Sequence, residues 1–165
     1  MDQERNYSIP DGAQIGHVHL KVSDLERSLR FYCDLLGFKI TMRYGTDAAF
    51  ISAGGYHHHI GLNVWFSKNG SPAPKNSTGL FHTAIVYPTR KSLAEILHRL
   101  QSKEYRINGA SDHGVSEAIY LDDPDENGVE LYWDKPIEKW PKQEDGSLDM
   151  WTRVLDTEDL LSELD

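Results

Sequence analysis

Eight histidines fall within 165 residues, and their spacing is uneven. Three are consecutive, His57-His58-His59, and two alternate, His17 and His19. A further one lies in Phe81-His82-Thr83-Ala84-Ile85, which can be laid over Gly16-His17-Val18-His19-Leu20. In the same comparison Val129-Glu130-Leu131-Tyr132-Trp133 lies over Ile60-Gly61-Leu62-Asn63-Val64. His82 thus repeats His17, Ala84 replaces His19, and Glu130 repeats Gly61. Neutral imidazoles and carboxylates are the donors that divalent transition metals take. An unperturbed imidazole also titrates near neutral pH, which suits it to acid–base work.

The bulk composition narrows the classes of function. The net charge is −9, with 17 basic against 26 acidic residues and no basic run. Nucleic acid and an anionic membrane surface are therefore not expected partners. No stretch approaches the roughly 20 apolar residues of a membrane span. Met1 to Pro10 is polar and carries no apolar signal core, so a cytoplasmic location is expected. The single Cys33 can form neither an internal disulfide nor a thiolate zinc site, and on its helix it reads as packing.

The elements that must position these residues follow from periodicity. Residues 1–12 read as a lead-in. Ile15 to Val22 alternates as a strand, and Ser23-Asp24-Leu25-Glu26 reads as a capping box. The helix it opens carries Leu25, Leu29, Tyr32 and Leu36 on one stripe and closes at Gly37. Strands are expected at Phe38 to Tyr44, Ala48 to Ala53 and His58 to Phe66, with a turn at Gly54-Gly55. Residues 67–79 have linker composition. The pattern then restarts: a strand at Leu80 to Tyr87, a helix with Leu93, Ile96, Leu97 and Leu100 on one face, and strands at Arg106 to Ala110, Glu117 to Leu121 and Gly128 to Trp133. The order βαβββ, linker, βαβββ is an internal repeat. The expected fold class is α+β: two βαβββ modules, about 13–66 and 80–136, forming one curved mixed sheet, a half-open cup with helices outside. The extension 137–165, with an acidic helix from about Thr157, is expected to pack on the domain or on a second subunit, and a homodimer is compatible with it.

Two segments carry a resemblance to a known family. The run from Gly16 to Tyr32 with Leu35-Leu36-Gly37-Phe38, and the closing run from Asp122 to Trp133, resemble the vicinal oxygen chelate superfamily. That superfamily includes glyoxalase I, extradiol ring-cleaving dioxygenases, epimerases and the bleomycin and fosfomycin resistance proteins. Within it, Gly54-Gly55-Tyr56-His57-His58-His59-Ile60-Gly61-Leu62-Asn63 looks most like proteins named catechol 2,3-dioxygenases. The resemblance spans residues 13–136 as a single domain.

The resemblance implies that positions 17, 61, 82 and 130 face into the cup. Glyoxalase-type lyases usually place a ligand at the position of Gly61, so glycine there leaves His17, His82 and Glu130 as the implied metal ligands. Two imidazoles and one carboxylate with open positions suit non-haem Fe(II), or Mn(II), with O2 as co-substrate. The implied activity is extradiol cleavage of a catechol-type aromatic diol. A glyoxalase-type lyase or isomerase and a small-molecule-sequestering resistance protein are the alternatives. By strand alternation His59 faces the cup with Gly61, His57 can join it, and His58 faces away. The family resemblance makes His59 the acid–base residue and Tyr120 a hydrogen-bond donor to the site. It leaves His113, in the loop Ser111-Asp112-His113-Gly114, as a candidate to close over substrate. His19 is either a neighbour of the ligands or an alternative ligand. Phe50, Trp65 and Trp133 line the pocket or fill the core. The acidic turn Asp122, Asp123, Asp125 lacks a full Ca2+-loop pattern and reads as solvated.

Overall fold

The computed structural model describes residues 7–165; the first half of the expected lead-in lies outside the described residues. The first module runs β1 (Val18–Lys21), α1 (Leu25–Leu29), β2 (Lys39–Tyr44), β3 (Ala48–Ser52) and β4 (Ile60–Asn63). The second runs β5 (Thr83–Val86), α2 (Arg90–Ser102), β6 (Gly109–Asp112), β7 (Ser116–Asp122) and β8 (Gly128–Asp134). Each module has the same strand order, with the first strand parallel to the fourth: β1-β4-β3-β2 and β5-β8-β7-β6. The registers agree as well. His19 pairs with Gly61, and Ala84 pairs with Glu130. The alignment of the two halves by sequence is therefore a real spatial equivalence.

Three details differ from the sequence reading. The strands form two separate sheets, of four and five strands, and among the described residues no ladder joins them into one. What unites the modules is a common core and the contacts of α1. Leu25, Leu29, Phe31 and Tyr32 share one buried cluster with Leu93, Leu97, Leu100, Val129 and Leu131. Tyr32 Oη donates to Asp123 at 3.0 Å, and Arg27 pairs with Asp125 at 2.6 Å, so the acidic turn is held against α1 rather than solvated throughout. The cap of α1 also sits one residue later than expected. Asp24, not Ser23, is the N-cap, its side chain accepting from Arg27 N–H. Both residue types cap well, and Asp24 wins by reaching the first free N–H groups. The chain then widens into a π-helical turn at Arg30–Leu35, and Gly37, at φ +89°, takes the left-handed conformation that ends it.

The extension packs on the domain. Its segment Arg153–Val154 (β9) adds a fifth strand beside β6, with Ser111 opposite Val154 and Asp112 opposite Arg153. A short helix α3 (Thr157–Leu161) follows, capped by Asp156. Leu155 and Leu160 are buried, and Arg90 of α2 reaches Asp159 and Glu163. No helix of the described residues is long and apolar enough to cross a membrane.

Candidate active site

The second module assembles a continuous hydrogen-bonded chain of four side chains. Glu130 lies in the middle of β8, directly opposite Tyr120 of β7, so the two side chains share a face by register. Tyr120 Oη donates to Glu130 Oε1 at 2.9 Å. His82, just before β5, places its Nε2 2.9 Å from Glu130 Oε2. On the other side, His113 Nε2 lies 2.6 Å from Tyr120 Oη. His113 Nδ1 in turn lies 2.9 Å from the carbonyl of Trp151. Burial, reinforced by the hydrogen bond to Glu130 and by its charge, pushes the Tyr120 phenol well above its ordinary value, so it serves as a donor.

Close approach of the β5 end to β8 depends on a glycine. A Cβ at Gly128 would fall 2.2 Å from the Phe81 carbonyl, so only glycine lets the His82 backbone sit beside Glu130. The pair fits a metal in its donor chemistry. Two ligands about 2.1 Å from one ion and at right angles would stand about 3 Å apart. His82 Nε2 and Glu130 Oε2 are at that spacing, and His82 Nδ1 is buried without a protein partner.

The first module gathers imidazoles instead of carboxylates. The His17 and His58 rings lie 4.4 Å apart, and His58 packs on Phe50 at 4.9 Å. His58 therefore faces the same side as His17, contrary to the alternation reading. The reason is local: regular strand geometry begins at Ile60, and His57 to His59 form a bend where alternation does not hold. His19 lies between Phe50 and Trp65, at 5.8 and 5.7 Å. Its ring covers Gly61, where an added Cβ would meet it at 2.9 Å. Burial first, and then the neighbouring His17, pushes both the His19 and His58 imidazoles below their ordinary value. His57 and His58 bring their Nδ1 atoms to 2.7 Å.

His59 takes a separate orientation. Its Nδ1 lies 3.0 Å from Ser52 Oγ and 3.3 Å from the Ala53 N–H. A backbone N–H can only donate, so Nδ1 accepts, and a neutral ring then carries its proton on Nε2. Trp133 packs against the core, while Trp65 is half exposed.

Two clefts connect these groups. One, of about 1030 Å³, is lined by His82, His113, Tyr120, Asn127 and Thr152 among others. The other, of about 720 Å³, is lined by His17, His59, His82 and Phe38 among others. His82 lies on both. The structure thus brings His82, Glu130, Tyr120 and His113 together, and His17 and His59 line one cleft with His82. Among the described residues, no three His, Cys, Asp or Glu side chains gather closely enough to hold one ion, so His17 is not gathered with His82 and Glu130. The sequence carries no signal for Trp151 or Thr152 as site residues. A backbone carbonyl has no residue-type signature, and the extension carries no acid–base or ligand pattern.

Residues 14–131 match the family described as the Glyoxalase/Bleomycin resistance protein/Dioxygenase superfamily. The chain is 47% identical over 105 residues to a catechol-2,3-dioxygenase of Bacillus subtilis (strain 168), a match covering 63% of the chain and 37% of that protein. It is 30% identical over 125 residues to biphenyl-2,3-diol 1,2-dioxygenase 3 of Rhodococcus globerulus, covering 73% of the chain and 63% of that protein. The chain thus spans less than two thirds of the length of either relative. Among solved structures, a glyoxalase/dioxygenase from Nostoc punctiforme superposes with a TM-score of 0.64 at 18% identity, over 79% of this chain and 99% of that one.

Proposed function

The chain belongs to the glyoxalase/bleomycin resistance protein/dioxygenase superfamily, and on that premise we propose that it is a metal-dependent extradiol dioxygenase acting on a catechol-type diol. The observation that carries this reading is the chain His82–Glu130–Tyr120–His113, of which His82, Tyr120 and His113 line a cleft of about 1030 Å³. The names of two relatives, a catechol dioxygenase and a biphenyl-diol dioxygenase, point the same way.

In this reading His82 and Glu130 would hold Fe(II), with Mn(II) as the alternative, and His17, on the cleft it shares with His82, would have to move in to serve as the third ligand. Bound there, the metal supplies the open positions and the redox link that let a diol and O2 react. The protein's own groups have separable tasks. Tyr120 donates to Glu130 and fixes the direction of its carboxylate. His113 stands behind Tyr120, its Nε2 against the phenol oxygen, ready to take up or return a proton as the diol is deprotonated. His59, its Nδ1 occupied by Ala53 N–H and Ser52, offers Nε2–H as a donor to developing charge on oxygen. In the overall reaction the ring bond beside the diol breaks and both atoms of O2 enter the product. A reducing, cytoplasmic compartment suits both the lone thiol Cys33 and a ferrous site.

The test is O2 uptake by Fe(II)-reconstituted protein across a panel of catechols, with absorbance of a yellow ring-opened product as the second readout. Uptake with one O2 per diol supports the reading. Protein that binds the metal yet consumes no oxygen across the panel rules it out.

A further inference from the structure

The C-terminal extension stands outside the repeat and outside the family match, which ends at residue 131. Its seat is nevertheless against the candidate site. His113 and Trp151 make a reciprocal pair. Trp151 N–H donates to the His113 carbonyl at 3.3 Å, and the Trp151 carbonyl faces His113 Nδ1 at 2.9 Å. A carbonyl oxygen can only accept, so this bond requires the proton to be on Nδ1. Thr152 Oγ1 lies 3.3 Å from the same nitrogen and also lines the large cleft. Gly114 lets the Trp151 indole lie close, since an added Cβ there would meet the ring at 3.0 Å. Downstream, Leu155 N–H donates to the Ala110 carbonyl, β9 pairs with β6, and the buried Leu155 and Leu160 anchor the segment.

We propose that residues 150–155 form a working wall of the site: the Trp151 carbonyl fixes the proton of His113 on Nδ1, so that Nε2 stands as a second acceptor, beside Glu130, for the single Tyr120 proton. Trp151 is then a positioning residue, acting through His113. A neutral imidazole has one proton to place, and a ring free to choose would share it between two nitrogens. If the proton sat on Nε2, the ring would donate to Tyr120 and have no lone pair facing the phenol. The extension removes that choice before any substrate arrives. The coupling is reciprocal: if the tail fixes the ring, the ring must also help hold the tail.

The assignment of the tautomer stands by itself; only the reaction it serves rests on the dioxygenase reading. The test is NMR of the full metal-free chain with 15N-labelled histidine, beside the variant Leu155→Asp, which unseats the tail. The wild-type His113 ring is expected to carry its proton on Nδ1, and the variant ring to show an average of both tautomers. With metal supplied, kcat for oxygen uptake in L155D should fall about tenfold while KM stays within about twofold. A wild-type proton on Nε2, or a ring signature unchanged in L155D, overturns the proposal. Should L155D fail to fold, the comparison of H113N with H113Q decides. Asparagine places a donor where Nδ1 stands, and glutamine reaches instead toward Tyr120. Hydrogen-exchange protection of residues 151–155 kept in H113N and lost in H113Q supports the proposal; equal protection overturns it. Absence of oxygen uptake by wild-type protein would count against the dioxygenase reading and leave the tautomer result standing.

Discussion

The imidazole of His19 lies over Gly61, its strand partner, at a distance that leaves no room for a Cβ. In the second module the equivalent pair is Ala84 and Glu130. The two modules thus exchange a large and a small side chain across the same pair of strands. Where one places its carboxylate on the fourth strand, the other places an imidazole on the first. The substitution Gly61→Glu would restore the symmetric arrangement and expel the His19 ring. It is expected to tighten Zn2+ binding about tenfold and to reduce oxygen uptake at least about a hundredfold, because a fourth protein donor takes up an open position. Competition titration and O2 uptake check the two halves. Full oxygen use in G61E would show that the vacated position is not what the reaction depends on.

Tyr120 Oη lies within hydrogen-bond distance of both Glu130 and His113. Tyr120→Phe keeps the ring and removes the bridge. The expected cost in stability is about 1 kcal/mol, the net value of a partly buried hydrogen bond. The expected loss in kcat is about a hundredfold, the scale of a positioned proton donor. Metal affinity should fall by about tenfold, since Glu130 loses the group that orients it. A variant that loses stability but keeps its kcat would make Tyr120 structural.

Asp112 precedes His113 and accepts from Lys135 Nζ at 2.8 Å and from Gly114 N–H at 2.7 Å. Burial raises its carboxyl, but the Lys135 and Gly114 bonds outweigh burial and hold it below the usual range. A carboxyl lowered in the folded state stabilises the protein above the unfolded pKa, and that stability is lost as pH falls through the folded value. Asp112→Asn should therefore cost about 1 kcal/mol at neutral pH, or roughly 2–4 °C in Tm. The gap between wild type and variant should close below about pH 4. Thermal melts across that range give the answer. A gap that persists unchanged at low pH would mean that the charge of Asp112 is not what matters.

The repeat was readable because its two halves share a register, and a shared register shows in sequence as matched residues at matched spacing. The pairing of His82 with Glu130 follows from it, as does Tyr120 opposite Glu130, ten residues away across a tight turn. Alternation misplaces His58 because period two holds only inside a strand, and β4 starts two residues later. Ser23 and Asp24 are equally good caps of α1 by type, and only geometry chooses Asp24. The split into two sheets was hidden because hydrophobic pattern fixes which face is buried and says little about whether neighbouring edges join. The Trp151 carbonyl, a backbone atom, could not be seen at all.

Arg90 ties the extension to the second module through three carboxylates: Nε to Glu117 at 2.8 Å, Nη2 to Asp159 at 2.6 Å and Nη1 to Glu163 at 3.0 Å. These are unequal. Asp159 and Glu163 are well exposed, where an ion pair contributes a few tenths of a kcal/mol. Glu117 is 6% exposed, and its other cation, Lys135, stands off at 3.9 Å. Arg90→Met leaves that carboxylate buried and nearly unpaired, which should cost about 2–3 kcal/mol and roughly 5–10 °C in Tm. If the cost comes from stranded charge, adding Glu117→Gln in the R90M background should recover most of it, although E117Q alone destabilises. Amide exchange should also quicken in α3 more than in β7, since only α3 loses its tether outright. A double variant as unstable as R90M would place the energy in the tail contacts instead, and α3 would then be held by Arg90 rather than by Leu160.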